Sequence, residues 1–256
     1  MYYDNALEHV VDIEKPTRKR GRIMIKSSLY INGQWVKSAD QQFFSSINPA
    51  TDEIVGEACL ATENQVDEAV DAAKSAYKAW KNTPAPVRAE YIEEIVNGLT
   101  KRRHELAEMM TKEMGKVLKE SLGEVDTVIQ HGKYMQGESK KLYGEIIPSS
   151  FPDRTIQMVR EPLGVVACIT PWNFPVVLAG YKIFSALITG NTVIWKPASE
   201  VALSAKVFTE IIESSGIPKG AFNLVTGSGR IVGNKLADHQ DVKVISFTGS
   251  TEVGQK

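Results

Sequence analysis

Cysteine is scarce in this chain. There are two, Cys59 and Cys168, more than a hundred residues apart. Two distant cysteines make neither a disulfide framework nor a zinc site, so no metal is expected and a reducing cytoplasm is the expected compartment. Long apolar runs are missing too. None reaches the roughly 18 residues that a membrane-spanning helix needs, so no membrane is expected as a partner. Residues 1–21 hold no apolar signal core, and secretion is not expected. Neither sign of charge dominates: 30 Lys and Arg stand against 31 Asp and Glu. That balance gives no support for nucleic-acid binding. The one basic run, Lys15 to Arg22, reads as a solvated extension. No internal repeat is visible. What remains, 43% hydrophobic and 24% charged residues over 256 positions, is ordinary globular composition. The length suits one large domain, or one domain with part of another.

The first 23 residues are polar and poorly periodic. Met24 directly precedes the first clear element and is a candidate natural start. Asn32-Gly33, between Leu29-Tyr30-Ile31 and Gln34-Trp35-Val36, marks a hairpin, because both turn residues tolerate positive φ. Extended chain runs on to about Leu60. Thr62-Glu63-Asn64-Gln65 reads as a capping box opening a helix with Val66, Ala69, Val70, Ala73, Tyr77 and Trp80 inward. Asn82 to Pro86 breaks it. A second helix turns Tyr91, Ile92, Ile95, Val96 and Leu99 inward. More helix runs from about Glu105 to Leu142, with interruptions expected near Gly115 and Gly123. Gly144 to Pro162 reads as a two-stranded arm, too short to be stable alone. From Gly164 the pattern is regular. Strands at 164–169, 192–195, 222–225 and 242–247 alternate with helices at 176–188, 199–214 and 229–237, and a last helix opens at Ser250. Strand–helix alternation with apolar strands predicts an α/β protein, with a doubly wound parallel sheet covered on both faces.

In such sheets ligands bind at the carboxyl ends of the strands. Four segments lie there. Gly227-Ser228-Gly229-Arg230-Ile231-Val232-Gly233 follows a strand and opens a helix. Its spacing is GxGxxxG rather than the common GxGxxG, so it is either a dinucleotide turn or a plain tight turn. Phe247-Thr248-Gly249-Ser250 leads into a helix whose free N–H groups suit a pyrophosphate; Ser250 also suits a cap, and the two are compatible. Lys196, leaving a strand, could hold ribose or phosphate, or be an ordinary exposed lysine, which spacing alone favours. Thr170-Pro171-Trp172-Asn173-Phe174-Pro175 is a rigid turn. There Asn173 could donate its amide to an oxyanion, or cap the next helix.

Together the strings ITPWNFP (169–175), WKPASE (195–200), FNLVTGSG (222–229) and SFTGSTEVG (246–254) closely resemble the aldehyde dehydrogenase superfamily, from about Leu29 onward. The motifs lie closest to NAD(P)-dependent semialdehyde dehydrogenases. The resemblance implies a Rossmann-like fold, with a cofactor domain over 24–143 and 163–256, an oligomerisation arm over 144–162 and an extension over 1–23. It implies Asn173 as an oxyanion donor. It places Ile169, Thr170, Pro171, Trp172, Lys196, Ser199, Gly229, Arg230, Gly233, Phe247, Thr248, Gly249, Ser250 and Val253 around NAD or NADP. Phe174, Leu178 and Tyr181 match an aldehyde tunnel. The implied reaction oxidises an aldehyde, here a candidate dicarboxylate semialdehyde, to its acid. It runs through a cysteine thiolate, with a glutamate activating water. Those two groups belong to ELGGK-like and GQxC-like segments beyond FTGSTEVG. These 256 residues contain neither, so most of the catalytic domain is expected to be absent and these residues alone inactive. Cys168, inside the apolar run VVACIT, and Cys59 are not expected to substitute. The family implies a homo-oligomer. A non-catalytic nucleotide-binding or interaction module is the competing reading. Ser199 stands where many NAD-preferring relatives carry glutamate, which leaves Lys196 unopposed, with Arg230 near, and favours NADP; the alternative is that Ser199 only caps its helix and Glu200 takes the place of the missing carboxylate.

Overall fold

The computed structural model describes residues 25–255. The expectations for residues 1–23 and for Met24 fall outside that range.

The hairpin forms as expected. Strands β2 (Leu29–Ile31) and β3 (Gln34–Val36) flank Asn32 and Gly33, which have φ of 52° and 74°. A small sheet precedes and follows it, with β1 (Ile25–Lys26) parallel to β5 (Ile54–Cys59), and β5 antiparallel to β4 (Phe43–Ile47). Helix α1 (Glu63–Asn82) starts at a complete capping box between Thr62 and Gln65. The break after it is shorter than expected, because Pro86 fits the first turn of α2 (Ala85–Lys101), where no N–H is required of it. Helix α3 (Arg103–Met114) ends at Gly115, which takes a left-handed φ of 78°. Helix α4 (Leu118–Glu138) then runs straight through Gly123. The expected interruption there does not occur, since packing of neighbouring turns outweighs one weak helix former. Strands β6 (Glu145–Ile147) and β7 (Ile156–Met158) pair antiparallel as an arm, with every residue exposed.

The main sheet uses β8 (Val165–Ile169), β9 (Thr192–Lys196), β10 (Phe222–Leu224) and β11 (Val242–Phe247), all parallel. The order across the sheet is β11-β8-β9-β10-β2-β3, so the hairpin extends it antiparallel through Tyr30 opposite Leu224. Between the strands lie α5 (Val177–Ile188), α6 (Ala202–Ser214) and α7 (Asn234–Asp238), and the short turn α8 (Thr251–Gly254) follows β11. One turn of 3₁₀ helix, Ser199–Val201, precedes α6.

Alternation along the strands loads both faces. Tyr30, Val166, Cys168, Val193, Trp195, Phe222 and Leu224 pack against the bundle of α2 to α6. Leu29, Ile31, Val165, Ala167 and Ile194 pack against α1, together with Val232 and Leu236. The expectation of a fully buried β11 is not met. Among the described residues it pairs only with β8, and Lys243 and Ile245 are exposed, as an edge position allows. Among the described residues no helix is long and apolar enough to cross a membrane.

Candidate active site

The chain runs outward from β8 through β9 to β10, then crosses back to lay β11 on the other side of β8. The gap between β8 and β11 is therefore a topological switch point, where such sheets bind ligands. Registers align Phe247 with Ile169, and Ile169 with Lys196. One row of residues thus ends three adjacent strands, and the motif segments leave the same edge. The edge is stitched. Thr248 N donates to Ile169 O (3.0 Å), Thr170 N to Lys196 O (3.1 Å), and Trp195 Nε1 to Thr170 Oγ1 (2.9 Å). Thr170 is buried in this work, while Trp172 is 54% exposed. Pro171 and Ile169 are half-buried.

Lys196 departs from the exposed lysine favoured by spacing. It is 5% exposed, and its Nζ donates to Pro197 O (3.1 Å). Alternation puts it on the face of Ile194, beneath the turn at Gly233, to which its stem is close. Burial lowers its pKa to about 8, and the charge of Glu200 pulls it back up. Lys196 is therefore not unopposed. Ser199 Oγ donates to Gly227 O (3.4 Å) and does not cap α6.

The odd glycine spacing has a physical account. Gly229–Gly233 forms a π-turn, with Gly233 N donating five residues back to Ser228 O (3.4 Å), so the wider turn absorbs the extra residue. Gly227 is a structural glycine: its φ is +154°, and a Cβ would meet Val232 at 2.5 Å. At Gly229 a Cβ would meet nothing within 4 Å. The chain's own packing does not demand glycine there, which leaves open space over the turn. Arg230 is exposed beside it. Ser250 caps α8, accepting from Val253 N (3.4 Å), and Gly249 lies under the ring of Phe247. Thr248 is half-buried; Gly249, Ser250 and Val253 are exposed.

On the opposite face, beside α4 and α5, is a groove of about 600 Å³ lined by Lys116, Glu120, Gly123, Glu124, Thr127, Phe174, Val177 and Tyr181. Two of the three residues matched to an aldehyde tunnel, Phe174 and Tyr181, line it. Leu178 is half-buried and does not line it. Helix α5 is not capped by Asn173. Glu124 Oε1 accepts from Val176 N (2.9 Å) and Val177 N (3.0 Å), so α4 supplies the cap. Asn173 Oδ1 instead accepts from Phe174 N (3.1 Å), and its amide nitrogen makes no hydrogen bond among the described residues. Helix α6 is capped in the same way. Glu113 takes Leu203 N (2.9 Å), Ser204 N (2.6 Å) and Ser204 Oγ (2.6 Å). Both of these helix N-termini are filled by internal carboxylates, whereas the π-turn and α8 start at serines, Ser228 and Ser250, whose hydroxyls each accept one N–H. Local patterns could not reveal either cap, because Glu124 and Glu113 lie 52 and 90 residues before the first N–H they accept.

Neither thiol is poised to react. Cys168 is fully buried, and burial pushes its pKa up to about 12. Cys59 is also buried, its Sγ accepting from Ser38 N (3.4 Å), and its pKa is raised by burial.

Residues 35–256 match the model of the aldehyde dehydrogenase family. The chain belongs to that family. It is 40% identical over 227 residues to alpha-ketoglutaric semialdehyde dehydrogenase from Bacillus subtilis, covering 88% of this chain and 46% of that one. The structure of 3,6-anhydro-L-galactose dehydrogenase in complex with NAP superposes with a TM-score of 0.87 at 35% identity, over 90% of this chain and 48% of that one. Betaine aldehyde dehydrogenase from Staphylococcus aureus, in complex with NAD+, gives 0.87 and 35% over 90% and 46%. This aldehyde dehydrogenase chain spans about half the length of the curated relatives it matches.

Proposed function

We propose that this chain is the cofactor-binding part of an enzyme that oxidises an aldehyde to its carboxylic acid with NADP+ or NAD+. The observation that carries the reading is the row Phe247, Ile169 and Lys196 at the switch point, which brings the motif segments to one edge. The discontinuous cofactor domain would comprise 24–143 and 163–256, with 144–162 as the oligomerisation arm. The cofactor fits the residues present. Gly229 leaves open space, the N–H groups of its turn and of Ser250 suit a pyrophosphate, and the buried cation of Lys196 suits the ribose end. Ser199, Arg230, Gly233, Gly249, Thr248, Phe247 and Val253 would complete that surface, with residues 169–172 along its side.

Bound there, the nicotinamide supplies a hydride acceptor. The chain's own part is to bind and orient. Asn173 offers its free amide N–H groups to the oxygen that gains charge as an aldehyde is attacked. Phe174 and Tyr181 wall the groove that would admit the aldehyde. The thiolate and the general base would belong to the segments named above, since Cys59 and Cys168 are sealed. A dicarboxylate semialdehyde is the favoured substrate, on the likeness to the Bacillus subtilis enzyme.

Ser199 carries no charge to repel a 2′-phosphate, while Glu200 partly offsets Lys196. Both cofactors should therefore bind. The test is titration of the chain with NADP+ and NAD+, following tryptophan fluorescence, for wild type and Ser199→Glu. We expect both to bind wild type, and the substitution to weaken NADP+ relative to NAD+ by ~10-fold or more. No aldehyde oxidation should accompany binding. Failure to bind either cofactor would sink the reading, and an unchanged ratio would remove Ser199 from it.

A further inference from the structure

The turn that carries Asn173 has little to hold it in place from its own sequence. It precedes helix α5, which begins at Val177 and whose N-cap residue Val176 offers no side-chain cap. Asn173 and Phe174 are both exposed. Yet the turn is held on three sides by two residues from elsewhere. Lys116 Nζ donates to the Asn173 carbonyl (3.0 Å) and lies 4.0 Å from the centroid of the Phe174 ring. The same Nζ pairs with Glu124 Oε2 at 2.5 Å, and the other oxygen of Glu124 accepts Val176 N and Val177 N. The lysine side chain is 8% exposed and the glutamate 1%. Gly115, in its left-handed conformation against Pro49, ends α3 immediately before Lys116 and fixes where that side chain starts.

We propose that Lys116 and Glu124 are positioning residues that set the Asn173 amide for the reaction. Both also line the groove, but with the lysine 8% and the glutamate 1% exposed their role runs through the Asn173 turn rather than through contact with the aldehyde. A buried ion pair is a poor device for stability alone, because desolvation offsets the attraction. Here each partner spends a remaining hydrogen-bonding position on the same turn. Lys116 holds the peptide that follows Asn173. Glu124 anchors the N–H groups at the helix start, three and four residues after Asn173. The pair therefore fixes where the Asn173 amide sits, and small displacements of such a donor are costly to rate.

The inference rests on Asn173 acting as the oxyanion donor, and the experiment separates the two ideas. In the full-length protein, kcat, aldehyde KM and cofactor Kd are measured for Lys116→Met, Asn173→Ala and the double variant. We expect Asn173→Ala to lower kcat by ~10²-fold, and Lys116→Met by ~10-fold or more, with cofactor Kd little changed. The double variant should be no slower than Asn173→Ala, because a positioning residue has nothing to contribute once its donor is gone. If Asn173→Ala leaves kcat intact, the oxyanion reading fails and the inference with it. If Asn173→Ala is slow while Lys116→Met is within twofold of wild type, or the two losses multiply, the positioning role alone is overturned. Glu124→Gln keeps an acceptor for the helix N–H groups and removes the counter-charge. It gives the same readout should the methionine variant not fold.

Discussion

Lys196 is a cation enclosed at the edge of a sheet, and its pKa of about 8 has a consequence for binding. Below that pH the side chain is charged and ready to meet a phosphate. Above it the side chain is neutral, and a 2′-phosphate can be gripped only by taking up a proton. NADP+ affinity should therefore hold steady up to about pH 8 and then fall, by at most ~10-fold per pH unit. Titrations between pH 7 and 9.5 check this, and Lys196→Met should remove the bend along with much of the affinity. Glu113 has the opposite charge and a different task. Burial raises its pKa from 4.5 to about 7, against the pull of its hydrogen bonds from Ser204, Leu203 and Ser46. A folded-state pKa above the unfolded one stabilises fully below pH 4.5, and that contribution is lost as pH rises through 7. The size is on the order of 3 kcal/mol. Denaturant midpoints should accordingly decline between pH 5 and 8, and Glu113→Gln should flatten the decline. An equally steep decline in the variant would move the cause elsewhere.

Helix α4 shows what a local pattern can and cannot convey. Gly123 and Gly132 are both glycines inside this helix, and by propensity both are weak points. A Cβ on Gly123 would meet nothing within 4 Å, while one on Gly132 would press against Val96 at 2.4 Å. Gly123→Ala should therefore raise the melting temperature, by ~2–4 °C for a gain of up to ~1 kcal/mol, and Gly132→Ala should lower it. The same signs from both would show that propensity alone governs the helix. Elements whose signals are local were legible in the sequence: the Asn32-Gly33 hairpin, the Thr62 capping box, and the alternation from Gly164 onward. The edge exposure of β11 was not, because strand order depends on which partners flank it. The caps of α5 and α6 were not, because they arrive from α4 and α3. The candidate site divides in the same way. Asn173, Lys196 and the glycine turn stand in contiguous motifs. Lys116 and Glu124 become neighbours of Asn173 only once the bundle has packed against the sheet.

At the scale of the molecule, several apolar surfaces have no cover among the described residues. The arm exposes Ile146 (77%), Val159 (65%), Phe151 and Met158, and Leu163 follows it. At the carboxyl edge of the sheet Trp172, Phe174 and Val253 are open, and β11 offers an unpaired flank with Ile245 exposed. Surfaces of this kind drive association. The 256-residue chain should self-associate on light scattering, and Ile146→Lys with Val159→Lys should reduce it. A monodisperse monomer for the unmodified chain would contradict that expectation.

The hairpin carries a consequence of another kind, in time rather than space. Its strand β2 joins the sheet beside β10, and Asn32 N donates to Asn223 Oδ1 (2.9 Å) across a separation of 191 residues. A ribosome adds about 5–20 residues per second, so about 10–40 s pass between the making of the turn and the arrival of its neighbour. During that interval Leu29 and Ile31 have no β10 to pair beside, although both end up buried against α1. Bundle contacts such as those between α3 and α4 are close in sequence and can form while the chain is still growing. The hairpin thus takes its place in the sheet only after nearly two hundred further residues have followed it.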